Sequence, residues 1–317
     1  MMFNRSILGS TKVKAAAVLA IGALALTACT NASDTTAGGS NPSSGASGAA
    51  SFDPTTVAKD DSLAAKVPAA LKAKGTITVG SDTTYAPAEF LGADGQTPVG
   101  YDVDLAKAIG AKLGLKVQVQ TSEFTGILPA LGPKYDLGIS SFTINKDRLA
   151  AVNLVSYFNA GTSWAVQQGN PKNFSLDDIC GRSIGVQTGT TQEDPDLKDR
   201  SKKCTDAGKK PIDVVSLKSQ TDITTRLVNG SIDAMAADSP VISYALKQTS
   251  GLQKFGDTYD SAPEGVAVAK SDTALAGLIQ DTLNALIKDG SYKKILDSWG
   301  NADGAITKSE LNPTPAS

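Results

Sequence analysis

Histidine is absent from this chain of 317 residues. Without an imidazole side chain there is no Ser-His or Cys-His nucleophile pair, no histidine-bound metal and no general base that titrates near neutral pH. An enzyme with this composition would depend on carboxylates, lysine, tyrosine or a cofactor. Aromatic residues are also scarce, at 5%, and the sequence pI is near 5.3. Nucleic-acid binding needs a basic surface with stacking rings, so no nucleic-acid partner is expected.

An apolar run stands at the N-terminus, after a head with three basic and no acidic side chains. Its fourteen residues, 15–28, are too few for a helix that spans a bilayer but suit the hydrophobic region of a signal peptide. Leu26-Thr27-Ala28-Cys29 resembles a bacterial lipobox, in which the cysteine thiol receives a diacylglyceryl group. The sequence therefore predicts a signal peptide over 1–28, lipidation of Cys29 and an extracytoplasmic protein held by lipid on the outer face of the cell membrane.

The segment 29–60 begins with a stretch rich in Ser, Gly, Ala and Thr that has no apolar periodicity. Such a stretch cannot bury enough surface to offset its chain entropy, so we predict a flexible tether. Removal of residues 1–28 takes away three of the 30 basic and none of the 32 acidic side chains. The predicted mature chain is therefore acidic.

Two further cysteines, Cys180 and Cys204, enclose 23 residues. In an oxidising compartment an even pair predicts a disulfide, which would stabilise the fold by about 3–4 kcal/mol in the chain-entropy account. The alternative, a metal site with two cysteine ligands, lacks further thiols and has no histidine to complete it. We therefore predict a structural disulfide and no metal.

Strand and helix patterns alternate from about Gly75 onward, which indicates an α/β protein with largely parallel sheets. The length suggests roughly two domains. Ligands of such folds gather where strands end, so the candidate loops are 81–90, 140–145, 188–192 and 237–240. Helices are predicted over 102–113, 145–152, 219–229, 239–248, 272–288 and 292–299. Strands are predicted over 76–79, 116–120, 136–140, 164–166, 182–187, 211–215, 233–237 and 265–269.

An ordered set of motifs spans the same region, about 75–300. The set comprises SDTTYAP at 81–87, GYDVDL at 100–105, SSFTI at 140–144 with Arg148, GTTQE at 189–193, and GSIDA at 230–234 with Asp238. In content, order and spacing it resembles the extracellular solute-binding proteins of polar amino-acid ABC transporters. The resemblance implies a monomer without cofactor or catalysis, which delivers a small-molecule amino acid to the permease subunits of a transporter.

That resemblance also implies a two-lobed, periplasmic-binding-protein-like clamp of type II. Each lobe would hold a mixed, mostly parallel sheet flanked by helices, and the chain would cross between lobes near 159–163 and 258–264. Lobe 1 would combine 61–161 with 264–317, and lobe 2, which contains the predicted disulfide, would span 162–263.

A free amino acid is a zwitterion, so a dry cleft must supply one cation and one anion. By the resemblance, Arg148 would grip the carboxylate with paired hydrogen bonds, assisted by Thr143 and by Thr191 at a predicted helix start. Asp238 would bind the ammonium, assisted by the carbonyl of Ser141. From pattern alone, two other interpretations stay open: Arg148 as a surface arginine, and Asp238 as the cap of the following helix.

Asp82 and Tyr85 match positions that face the ligand's side chain in the family. A carboxylate there favours a donor, which means a basic amino acid or the amide of glutamine. Gln192 and Phe142, together with Phe124, would line the same end, although core packing is the alternative for both phenylalanines. Ala88 departs from the aromatic residue that many members carry, which leaves the pocket roomier on one side.

Two other classes of function share this fold. A periplasmic dehydratase of the cyclohexadienyl or arogenate type would need a carboxylic acid such as Glu89 or Glu193 as general acid. A ligand-sensing ectodomain would need a transmembrane helix after the clamp, and residues 307–317 contain no apolar run of that length.

Overall fold

Residues 52–315 are described by a computed structural model. The predicted signal peptide, Cys29 and the tether up to residue 51 lie outside this range. Residues 52–60, which we assigned to the tether, pack against the folded body: Val57 is buried, and the Asp60 backbone amide donates to the Lys112 carbonyl at 2.9 Å. Within the described range, none of the helices has the length and apolarity needed to cross a membrane.

The strands of the described residues are β1 (Thr76–Ser81), β2 (Thr84–Tyr85), β3 (Glu89–Leu91), β4 (Pro98–Val99), β5 (Lys116–Thr121), β6 (Leu137–Thr143), β7 (Val152–Gln167), β8 (Ser183–Gln187), β9 (Asp213–Leu217), β10 (Ala234–Asp238) and β11 (Leu252–Ala269). Eight of them form one mixed sheet in the order β5-β1-β6-β11-β7-β10-β8-β9, and the three short strands form a second sheet in the order β2-β3-β4.

Helices flank the large sheet. They are α1 (Asp61–Ala65), α2 (Ala69–Lys74), α3 (Tyr101–Leu113), α4 (Phe124–Ile127), α5 (Lys146–Ala151), α6 (Lys198–Asp206), α7 (Gln220–Val228), α8 (Ser239–Gln248), α9 (Thr273–Lys288) and α10 (Ser291–Trp299). α3, α9 and α10 pack on one another and bury apolar faces with helical spacing. Gly100 starts α3 with φ 128, and a Cβ there would lie 2.1 Å from the Ala88 carbonyl oxygen, so only glycine fits.

Two long antiparallel strands, β7 and β11, pair along almost their whole length and hold the two halves of the molecule together. The 264–267 part of β11 pairs with β6, whereas the 162–165 part of β7 pairs with β10. The pairing between them is irregular from Phe255 to Gly265, where the sheet passes from one half to the other. This is the two-lobed α/β architecture that the resemblance implied.

Strand direction brings the loops of the two halves face to face. β1, β5 and β6 are mutually parallel, as are β8, β9 and β10. Both sets are tied to the antiparallel ribbon of β7 and β11, so their directions are opposite and their carboxyl ends converge from opposite sides. A cleft between these ends follows from the topology.

Most predicted elements are confirmed to within three residues at each end, including α3, α8, α9 and α10. β5, predicted as a half-exposed strand, lies at the edge of the sheet. The prediction was wrong about the length of β7 and β11. Val152 belongs to β7 and not to the predicted helix. Residues 152–158 are covered on both sides, so their sequence lacks the alternation of a half-exposed strand and did not indicate one.

The half that contains β8, β9 and β10 has its own small core around Trp164 and Phe174. A disulfide joins Cys180 to Cys204, with 5.5 Å between their Cα atoms. Cys204 packs into this core and Cys180 lies at its edge. The predicted pairing is therefore present in the structure.

Candidate ligand-binding cleft

The converging strand ends enclose a small cavity. One half contributes residues from β2, α4, α5 and the C-terminal part of β6, and the other contributes the last residue of β8, the loop after it and the last residue of β10. The lining residues are Tyr85, Phe124, Ser140, Ser141, Thr143, Arg148, Gln187, Thr190, Thr191, Gln192 and Asp238. Seven of the nine predicted ligand-binding residues are among them.

Arg148 supplies the positive charge of the cavity. It lies on α5, whose first turn is capped by the Asn145 side chain. Its guanidinium donates to the carbonyl oxygens of Thr143 at 2.8 Å and Gly189 at 3.2 Å, and so bridges the two halves. None of the ion pairs within residues 52–315 includes it. Arg148 is thus a half-buried cation without a carboxylate partner, and the surface alternative is wrong.

The environment of Arg148 keeps it charged. Its guanidinium carbon lies 5.4 Å from the ring centre of Phe124 and 5.7 Å from that of Phe142. Burial lowers its pKa to about 10, while the nearby carboxyls of Asp238 and Glu264 act in the opposite direction. A pKa of about 10 leaves the guanidinium protonated at neutral pH.

Asp238 supplies a carboxylate from the opposite half. It stands at the N-terminus of α8, but its side chain makes no capping hydrogen bond there. Instead Oδ2 accepts from the Tyr85 hydroxyl at 2.9 Å, and Oδ1 accepts from Gln192 Nε2 at 2.9 Å. Burial raises the pKa of Asp238, and Arg148 opposes that shift. The capping interpretation of Asp238 is therefore wrong, because its side chain faces the cavity.

Ser141 forms a bend in the cavity wall. Its φ of 49 is left-handed, which is uncommon for a residue other than glycine. The backbone amide of Ser141 donates to Asp102 Oδ2 at 3.1 Å, which holds the bend in place. Its buried hydroxyl oxygen has no hydrogen-bond partner among the described residues. Strained backbone of this kind concentrates at binding sites.

Two predicted side-chain contacts lie behind the cavity wall. The Asp82 carboxylate is buried and already accepts from the amide and hydroxyl of Thr84, from the Phe124 amide at 2.9 Å and from Gln187 Nε2 at 3.1 Å. Phe142 is fully buried and stacks on Phe124, with 5.0 Å between the ring centroids. Asp82 and Phe142 therefore support wall residues instead of lining the cavity.

Thr191 lines the cavity, but the helix predicted to begin there is not regular. The segment Gln192–Leu197 has non-helical angles at Asp194, and the regular helix α6 starts only at Lys198. Because no regular helix begins at Thr191, a helix dipole cannot help this residue to bind the ligand carboxylate, contrary to the prediction from the sequence. Thr143 and Gln192, which were also predicted to contact the ligand, line the cavity.

Ser140, Gln187 and Thr190 line the cavity but were not singled out. Ser140 lies near the end of β6 and Gln187 ends β8, and residues at the ends of parallel strands were the available signal. Gln187 Nε2 also reaches Asp82 and the Lys218 carbonyl. Strand-end position alone would have found Ser140 and Gln187.

The two candidate general acids lie outside the cavity lining. Glu89 is fully buried and accepts from the Ser140 hydroxyl at 2.8 Å. Glu193 accepts from the Gly189 amide, at 2.6 Å, on the outer side of its loop. Another buried acid, Glu264, lies in the β11 ribbon and was not identified from the sequence.

A two-lobed α/β protein whose converging strand ends bury one cation and one anion belongs to the class of clamp-type binding proteins. Comparison with known sequences identifies the family. The sequence model of the bacterial extracellular solute-binding proteins, family 3, matches residues 77–302. The chain belongs to this family.

Individual relatives cover most of the chain. The arginine-binding protein ArgT of Corynebacterium glutamicum is 33% identical over 256 residues, which are 80% of this chain and 83% of the relative. The structure of an ancestral arginine-binding protein bound to arginine is 36% identical and has a TM-score of 0.64, with 71% of this chain and 98% of that chain covered. The structure of an ancestral arginine-binding protein bound to glutamine is 35% identical, with a TM-score of 0.64 and coverage of 72% and 98%.

Proposed function

We propose that this protein captures a polar L-amino acid, basic or amide-bearing, in the cavity between its two lobes and delivers it to the permease of an ABC transporter. The observation that carries the proposal is the pair of opposite charges at one cavity. Among residues 52–315 Arg148 has no carboxylate partner, and Asp238 faces it from the other half. A zwitterion supplies the two complementary charges.

The kind of side chain that the ligand carries is proposed from the chemistry of the cavity walls and from the similarity to known binding proteins. The walls present the amides of Gln187 and Gln192, and the surrounding buried acids favour a cationic or hydrogen-donating group over an acidic one. The relatives named for arginine, and the ancestral structure bound to glutamine, support the same class. L-Arginine and L-glutamine are therefore the first ligands to test.

Capture would be coupled to closure of the lobes, proposed as 61–161 with 264–317 and as 162–263. Several contacts join the halves: the Tyr85 hydroxyl with Asp238 at 2.9 Å, Asp82 with Gln187 at 3.1 Å, and Lys218 with Glu123 at 2.8 Å. These contacts form only when the halves are close together. A ligand held by Arg148 and Asp238 at once would stabilise that closed state.

We also propose that the mature protein begins at a lipidated Cys29 and is tethered to the outer face of the membrane. Lipid anchoring would keep the binding protein near its permease and raise its local concentration there. The motif Leu26-Thr27-Ala28-Cys29 supports this part of the proposal.

The experiment that tests the function is isothermal titration calorimetry of the purified protein with each of the twenty L-amino acids. Binding of arginine or glutamine well above that of glutamate is the expected result. The absence of binding by every amino acid at millimolar concentration would refute the proposal.

We propose binding without turnover, because Glu89 and Glu193 do not line the cavity. Incubation with prephenate or arogenate, followed by chromatography for aromatic product, tests this point. Formation of product above that of heat-inactivated protein would contradict it.

A further inference from the structure

Besides Asp82, whose carboxylate accepts from four donors, four carboxyl groups are buried together beside the cavity. Glu89, Asp102, Asp238 and Glu264 are exposed to only 0%, 1%, 7% and 1%. The cation that acts on Asp238 and Glu264 is Arg148. Four ionised carboxylates against one guanidinium would leave uncompensated charges in a dry interior, which is strongly unfavourable. Protons must therefore remain on part of this cluster.

The first two acids form a pair that a single proton satisfies. Glu89 Oε2 and Asp102 Oδ1 both lack a donor among the described residues. Their other oxygens accept from the Ser140 hydroxyl and from the Tyr157 hydroxyl. The two carboxyls also interact directly, and burial, followed by the charge of Asp102, raises the pKa of Glu89 well above its usual value. The proton of this pair stays in the core.

Of the second pair, Asp238 lines the cavity, whereas Glu264 lies behind the cavity wall, opposite the lining residue Thr143 in the pairing of β11 with β6. Both carboxyl oxygens of Glu264 lack a partner among the described residues, although the side chain is buried. Burial, followed by the charge of the nearby Asp238 carboxyl, raises the pKa of Glu264 well above its usual value. Two ionised carboxylates have no proton to share, so a hydrogen bond between them forms only when one of them is protonated. Tyr85 and Gln192 already donate to Asp238, which leaves the proton on Glu264.

Within residues 52–315, Arg148 is the only cation near Glu264 that could offset a negative charge on its carboxyl group. The titratable groups that face it come from β2, α3, α5, β7, β10 and α10. They are Tyr85, Tyr101, Asp102, Arg148, Tyr157, Asp238 and Tyr292. Arg148 is the one cation in this set. No group of three potential ligands in the described part of the chain could hold a metal ion.

We infer that Glu264 is a positioning residue behind the cleft, which shares one proton with the cavity-lining Asp238 until the ammonium group of the amino acid takes the place of that proton. At the Asp238–Glu264 pair one positive charge arrives with the ammonium group and one proton leaves to solvent, so the charge of the pair together with its bound ammonium is unchanged. This inference rests on the proposed function and deepens it. A ligand without an ammonium group cannot replace the proton, so Glu264 would also contribute to specificity.

Proton release can be measured directly. We would titrate the purified protein with L-arginine at about pH 7 in phosphate and in Tris, whose protonation enthalpies differ. The difference in observed enthalpy gives the number of protons released per ligand. We expect release of up to one proton by the wild type, and none by Glu264→Gln, because the amide cannot hold the proton.

The matched control is Glu89→Gln, which makes the same chemical change in the carboxyl pair away from the cavity. It should release protons as the wild type does. The pH dependence supplies a second readout. Since the free protein holds the proton and the complex does not, lowering the pH should weaken wild-type binding by up to about tenfold per unit, whereas Glu264→Gln should show a flat profile.

If Glu264→Gln does not fold, infrared difference spectra of the wild type replace it, because binding should remove the carbonyl stretch of a protonated carboxylic acid. Three results would overturn the role of Glu264 but not the proposed function. They are arginine binding without proton release, arginine binding without loss of that carbonyl stretch, and full proton release by Glu264→Gln. Failure of every amino acid to bind would overturn the proposed function, and this role with it.

Discussion

Replacement of Arg148 by alanine is the most direct test of the charge arrangement in the cleft. The guanidinium has five N–H donors. One is used by the Thr143 carbonyl at 2.8 Å and one by the Gly189 carbonyl at 3.2 Å. Three donors remain, which is enough for a paired grip on a ligand carboxylate.

The expected magnitude follows from that count. A hydrogen bond to a charged group contributes about 1.5–3 kcal/mol, so two of them correspond to about 3–6 kcal/mol of binding free energy. Arg148→Ala should therefore weaken ligand affinity by about 100-fold or more. Arg148→Lys keeps the charge but loses the planar fork, and should fall between alanine and the wild type.

Isothermal titration calorimetry with L-arginine and L-glutamine measures the effect, and thermal unfolding checks that each variant is folded. Arg182→Ala is the matched control. Arg182 also donates to backbone carbonyls, those of Lys172 and Asn173, but lies away from the cavity. A folded Arg148→Ala variant with affinity within about threefold of the wild type would refute the assignment of Arg148 to the ligand carboxylate.

Three other changes test separate parts of the molecule. Asp238→Asn removes the anion that would face the ligand ammonium and should weaken binding by about tenfold or more in the same calorimetric assay, whereas unchanged affinity would contradict its role. The double change Cys180→Ser and Cys204→Ser should lower the free energy of unfolding by about 3–4 kcal/mol in denaturant titration, and equal stability would argue against a structural disulfide. Cys29→Ser should release the protein from the membrane fraction, and full retention would contradict lipid anchoring.

Local pattern was sufficient for most of the secondary structure. Helices such as α3 and α9 carry apolar residues at helical spacing, and α3 is bounded by Gly100 and Gly114, both with positive φ. These signals act within a few residues and do not depend on the rest of the fold. β7 and β11 were underestimated, because their length depends on pairing with each other and with both halves of the sheet.

The candidate site was predictable where position along a strand determined it. Thr143 ends β6 and Asp238 ends β10, and parallel strands place such residues in the cleft. The family motifs added Arg148, which lies outside the candidate loops, and they selected Thr191 within the loop 188–192. Asp82 was assigned to the cavity, whereas the structure surrounds its carboxylate with donors from Thr84, Phe124 and Gln187.

The sequence by itself determined the α/β class, the two halves, the cysteine pair and the exclusion of histidine chemistry. Composition and local spacing are sufficient for the α/β class, the cysteine pair and the exclusion of histidine chemistry, whereas the two halves followed from the family motifs. Only the tertiary structure decided whether Asp238 caps a helix or faces Arg148, and showed that Glu264 is buried without a hydrogen-bond partner in the described part of the chain. Those properties depend on which side chains the crossing of β7 and β11 brings together, and residues distant in sequence set the burial and charge that each group experiences.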